Sequence, residues 1–149
     1  MIHGIDAQID AMRAIWPAFV VVARDGDAAA WEGSVRPLLQ TYRVGIFYRA
    51  PLLIENLDPR RVQPRVSVLN PRLRPRPGDR EGQLPHVYYG PDGEVTLCLL
   101  DPEAGDWSPA DLLAETTVPW TIEWLAAYEG WRATGKWTAS GRHVEAARG

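Results

Sequence analysis

The chain has 149 residues, 46% of them hydrophobic and 23% charged, which is one water-soluble globular domain with a real core and no room for a second. Its net charge of −3 excludes the basic excess of a general nucleic-acid binder. No apolar run approaches the ~20 residues that span a bilayer, and the N-terminus lacks the basic and apolar regions of a signal peptide.

A cytoplasmic protein with neither membrane nor nucleic-acid partner is therefore expected. The single cysteine excludes an intrachain disulfide and a cysteine-cluster metal site, and in that compartment its thiol stays reduced. No phosphate-cradling glycine loop, zinc-ligand spacing or Gly-x-Ser-x-Gly elbow occurs, so neither metal nor cofactor is expected.

Ile5, Ile9, Met12, Ile15 and Trp16 recur at helical spacing, and Pro17 closes this first helix. Phe19 to Ala23 is an apolar, β-branched run suited to a strand, followed by an Asp25-Gly26-Asp27 turn. Trp31 to Val35 reads as a second strand. Thr41 to Arg49 is the clearest: Tyr42, Val44, Ile46 and Tyr48 share one face, Arg43, Gly45, Phe47 and Arg49 the other. Arg65 to Leu69 forms a fourth, with Val66 and Val68 inward. Strands that follow one another without helices between them predict an antiparallel meander.

From Asn70 to Gly93 the pattern dissolves into prolines, glycines and charges. Such a long loop in a compact domain is usually functional or mobile. Arg60, Arg61, Arg65, Arg72, Arg74, Arg76 and Arg80 crowd this region. They read either as a solvated surface or as a docking patch for an acidic protein partner.

The loop ends at Val95-Thr96-Leu97-Cys98-Leu99-Leu100. Ser108, Pro109 and Asp111 then mimic a helix start, with cap, first-turn proline and near capping box. Pro119 interrupts, and a second helix carries Trp120, Trp124, Tyr128 and Trp131, with Gly135 as its C-cap. Beyond Trp137 the chain is small and polar. The order describes an α+β domain.

Cys98 is the sharpest chemical candidate, because a thiolate is a strong nucleophile near neutral pH and makes a transferable thioester. A lone cysteine between leucines can equally be a small buried hydrophobe. Its position after an irregular loop favours chemistry. His86, twelve residues earlier, can act as base, as oxyanion donor or as a plain loop residue. His3 and His143 lie near the termini. Asp101, Glu103 and Asp106 follow Cys98 and can orient or deprotonate an incoming amine, or simply be solvated.

The segment LPHVYYGPDGEVTLCLLDPEAGDWSP resembles the active-site region of ubiquitin-conjugating enzymes. There a His-Pro-Asn-Val-Tyr-like stretch leads through an Asp-Gly turn to Cys-Leu, and Trp-Ser-Pro follows. Val87-Tyr88, Asp92-Gly93, Cys98-Leu99 and Trp107-Ser108-Pro109 occupy those places in order. The run LLAETTVPWTIEWLAAYEGWRATGKW is similar to the stand-alone conjugating-enzyme-like proteins of bacterial anti-phage cyclic-oligonucleotide operons, the short type II CBASS group.

This resemblance implies a ubiquitin-conjugating-enzyme-like fold over residues 1–137: N-terminal helix, four-stranded antiparallel meander, active-site loop and C-terminal helices. Residues 138–149 would be a flexible tail. It implies a thioester on Cys98 with the C-terminus of a partner ending in Gly or Ala, a nucleotidyltransferase of the cGAS/DncV-like family, and transfer to an amine. His86 falls where the family has an asparagine credited with supporting the oxyanion or the loop. A cysteine hydrolase using Cys98, His86 and Asp101 is one rival reading; a non-catalytic protein-binding domain of the same fold is the other.

Overall fold

A computed structural model describes residues 2–51, 63–78, 83–99 and 107–137. Asp101, Glu103 and Asp106, the arginines Arg60, Arg61 and Arg80, His143 and the tail 138–149 lie outside the described residues. Helix α1 (Ile5–Ile15) buries Ile5, Ile9 and Met12 together with Gln8, a residue that hydrophobic spacing does not select. Trp16 follows as its C-cap, ahead of Pro17.

Four strands follow, β1 (Val20–Asp25), β2 (Ala28–Val35), β3 (Tyr42–Arg49) and β4 (Arg65–Asn70). They form one sheet in the order β1-β2-β3-β4, every neighbouring pair antiparallel. The expected meander is present, with β2 starting earlier than Trp31. On β3, Tyr42, Val44, Ile46 and Tyr48 are buried while Phe47 and Arg49 are exposed. The core forms between this face, α1 and a C-terminal helix.

The stretch from Asn70 to Gly93 is not featureless. Val87–Tyr89 (β5) pairs antiparallel with Val95–Leu97 (β6), in the register Val87↔Leu97, Tyr88↔Thr96, Tyr89↔Val95. The reversal between them is closed by Gly90 N–H to Glu94 O at 2.7 Å and by Gly93, whose φ of 78° suits a residue without Cβ. β6 also lies against β4.

Of the expected pair of C-terminal helices, the described residues form one, α2 (Thr117–Thr134), and the stretch from Pro109 to Thr116 is turns rather than a helix. The cap chemistry at Ser108 does form: Ser108 N–H donates to Asp111 Oδ2 and Ala110 N–H to Ser108 Oγ. It leads into turns, because α1 takes the groups a helix would need. In a helix the Leu113 N–H would donate to Pro109 O. Instead His3 N–H donates to Pro109 O and Leu113 N–H to the buried Gln8 Oε1. Gln8 Nε2 donates to Asp111 O, and Trp16 Nε1 to Ala114 O. Nor does Pro119 interrupt anything. It stands in the first turn of α2, where its missing N–H would have had no intrahelical partner.

Helix α2 buries Trp124, Leu125, Tyr128 and Trp131. Burying each large ring is worth ~2–3 kcal/mol. Gly135 ends the helix in the left-handed conformation, its N–H donating to Trp131 O at 2.8 Å. The chain then turns back and lays Trp137 edge-on against Trp124, with ring centroids 5.1 Å apart. No helix among the described residues is long and apolar enough to cross a membrane.

Candidate functional site

The β5–β6 hairpin builds the site. Its ladder continues one step beyond Val87↔Leu97, so that His86 and Cys98, far apart in sequence, face each other. Cys98 N–H donates to His86 O at 3.0 Å. Leu97 and Leu99 are buried in the core, at 5% and 6% exposure, whereas Cys98 between them is partly exposed. Strand alternation turns the thiol away from the core its two neighbours enter.

Across the hairpin, Tyr88 is the diagonal neighbour of Cys98, on the same face. Its hydroxyl oxygen lies 3.2 Å from Cys98 Sγ. The neutral thiol can donate to this phenol, and a thiolate can accept from it, so Tyr88 supports either form of the sulfur. Composition and periodicity did not single out this tyrosine as a partner of the thiol. The signal that could have found it was the Asp92-Gly93 turn between two short β-prone triplets, which sets the register.

His86 is held more by its backbone than expected. Its φ of 54° places it in the left-handed region, sparsely used by residues other than glycine and, less often, asparagine, aspartate and histidine. Its carbonyl accepts two hydrogen bonds, from Cys98 N–H and from Trp124 Nε1–H, each 3.0 Å long. The imidazole packs against Trp137, with centroids 4.8 Å apart. Trp124 thus reaches from the core of α2 to the carbonyl that fixes the cysteine backbone, and Trp137 covers the histidine ring.

The structure therefore brings Cys98 and His86 together and adds Tyr88, Trp124 and Trp137 around them. The third expected site residue, Asp101, lies outside the described residues. Among those described, no group of three or more His, Cys, Asp or Glu side chains could hold a metal ion.

A partly exposed thiol on a fixed backbone, hydrogen-bonded to a phenol, can accept an acyl group and present it to a nucleophile from solvent. No curated protein matches the sequence. The family of Type II CBASS E2 proteins matches it over residues 8–144, and the chain belongs to that family.

Proposed function

We propose that the chain is a ubiquitin-conjugating-type transferase, its domain spanning residues 1–137, which carries the C-terminus of a partner protein as a thioester on Cys98. The family membership places it among E2-type proteins of CBASS systems. The observation that carries the reading is the setting of the one thiol, partly exposed, 3.2 Å from the Tyr88 hydroxyl and tied through its N–H to His86 O. The partner is a CBASS nucleotidyltransferase ending in Gly or Ala, and the reaction serves anti-phage defence in the cytoplasm.

In the loading step the Cys98 thiolate attacks the carbonyl carbon of an activated C-terminus, an acyl adenylate or another thioester, and the activating group leaves with its electron pair. In the discharge step a neutral amine attacks that carbonyl and gives up a proton, and the Cys98 thiolate departs. Tyr88 stabilises the sulfur as it gains negative charge in leaving. In this reading His86 supports the oxyanion and Asp101 receives the amine proton.

The chain mixed with its partner and the activating system is expected to give a thiol-sensitive band on a non-reducing gel. Cys98→Ala abolishes that band and Cys98→Ser leaves a thiol-resistant ester. Tyr88→Phe, lacking one hydrogen bond to the departing sulfur, discharges its thioester to an amine about tenfold more slowly. A band that persists in Cys98→Ala defeats the proposal. Rapid multiple-turnover release of free partner without transfer to amines would instead make the protein a hydrolase.

A further inference from the structure

Beyond the cysteine site, a cleft of about 580 Å³ opens between the last turns of α2, the start of β3 and the stretch that follows β4. Both of its walls are pinned to α2. Tyr128 Oη accepts from Arg74 N–H at 2.7 Å and donates to Arg74 O at 3.1 Å. Glu129 Oε1 accepts from the backbone N–H groups of Leu39 and Gln40. The wall after β4 reads Pro71-Arg72-Leu73-Arg74-Pro75-Arg76-Pro77. In an extended run, residues two apart share a side, and Arg72 and Arg74 both line the cleft, joined from α2 by Arg132.

Three arginines against the single acid Glu129 give the cleft a positive balance inside a chain whose net charge is −3. Two of its lining residues also carry a buried polar atom, Glu129 Oε2 and Arg132 Nε, with no hydrogen-bond partner among the described residues. At the rim Leu39 is 84% exposed, an apolar surface beside the arginines.

We infer that this cleft binds an acidic, apolar-flanked peptide segment of a protein partner. Guanidinium groups pair with carboxylates in a planar, two-pronged fashion, and Arg72 and Arg74 offer them to solvent. An apolar side chain beside the acids covers Leu39. A polyanion fits less well, because the Glu129 carboxylate repels phosphate and the field of the whole chain is negative. The inference stands whether or not Cys98 forms a thioester, since the cleft shares no residue with that site.

The test is to pan phage-displayed random heptapeptides on the full chain and measure the recovered peptides, fluorescein-labelled, by fluorescence polarisation. The expected sequences hold two or more Asp or Glu beside an apolar residue. Their Kd rises at least about tenfold in Arg72→Ser/Arg74→Ser, the loss of a charge-assisted hydrogen bond or more, and rises with salt. Both side chains are exposed, so an unchanged melting curve is expected for the double variant, and Arg72→Ser alone serves as a second variant. Absence of enrichment, enrichment without acidic residues, or binding indifferent to both variants overturns the inference. So does tighter, arginine-dependent binding of labelled oligo(dT), which would make the cleft a nucleic-acid surface.

Discussion

His86 carries two separable assets, a left-handed backbone whose carbonyl anchors Cys98 and Trp124, and an imidazole packed on Trp137. Alanine confuses the two, since a Cβ-bearing residue without a local hydrogen-bonding side chain pays about 1 kcal/mol or more to hold positive φ. Glycine holds that φ freely, and asparagine tolerates it. The asparagine that the conjugating enzymes carry at the aligned place is thus suited to this backbone as well as to donating a hydrogen bond. We expect His86→Gly to keep the melting temperature within a few degrees while slowing discharge of a preformed Cys98 thioester on the order of 10²–10³-fold, the usual loss for one oxyanion donor. His86→Asn should recover much of that rate. Single-turnover discharge to an amine measures both variants. A wild-type rate in His86→Gly would reduce the residue to its carbonyl.

At the scale of elements, α2 does two jobs with one stripe of rings. Trp124 stacks on Tyr128, with centroids 5.7 Å apart, and is 1% exposed, yet its indole N–H leaves the core to hold His86 O. Trp124→Ala should cost ~3–5 kcal/mol through the cavity it leaves. Trp124→Phe keeps most of the packing and loses only the donor. We expect it to remain folded in urea titrations while loading Cys98 several-fold more slowly; an unimpaired loading rate would show that this bond is structural only. The stripe was legible in the sequence because helical spacing is a local signal, as were the alternations of β3 and the cap at Gly135. The hairpin strands β5 and β6 were not legible, for three residues each are too few to display a period among prolines and glycines. The turns at 109–116 were misread for a different reason. Their local cap signals are genuine, but Gln8, His3 and Trp16, about a hundred residues away, decide where the backbone bonds go. The Tyr88–Cys98 contact depends on the hairpin register and inherits its obscurity.

At the scale of the whole molecule, the fold encloses two phenols that it binds in neutral form. Burial raises the pKa of Tyr48 well above the ordinary phenol value, and for Tyr42 burial is reinforced by the charge of Glu129 and by Tyr128, against a smaller opposing effect of Arg132. In the unfolded chain both ionise near pH 10. The stability tied to keeping them protonated is therefore complete below about pH 10 and drains away as pH rises beyond it, by about 1.4 kcal/mol per pH unit for each tyrosine while the fold still holds it neutral. The other side chains whose ordinary range falls in that window are Lys136, the chain's one lysine, and the tyrosines Tyr88, Tyr89 and Tyr128. Tyr48 is the informative one to change. Its hydroxyl is buried with no hydrogen-bond partner among the described residues, its ring edge-on to Trp107 with centroids 5.3 Å apart. Tyr48→Phe removes an oxygen that burial leaves unsatisfied and keeps the ring contact. We expect the variant to be more stable by about 1 kcal/mol at pH 7, given the ~1–3 kcal/mol cost of an unmade buried hydrogen bond. It should also lose stability above pH 10 about half as steeply as the parent. Urea midpoints from pH 7 to 11.5 measure both effects. If Tyr48→Phe is less stable at pH 7, its hydroxyl has a partner after all; if the alkaline limb keeps its slope, the phenol was never held neutral by the fold.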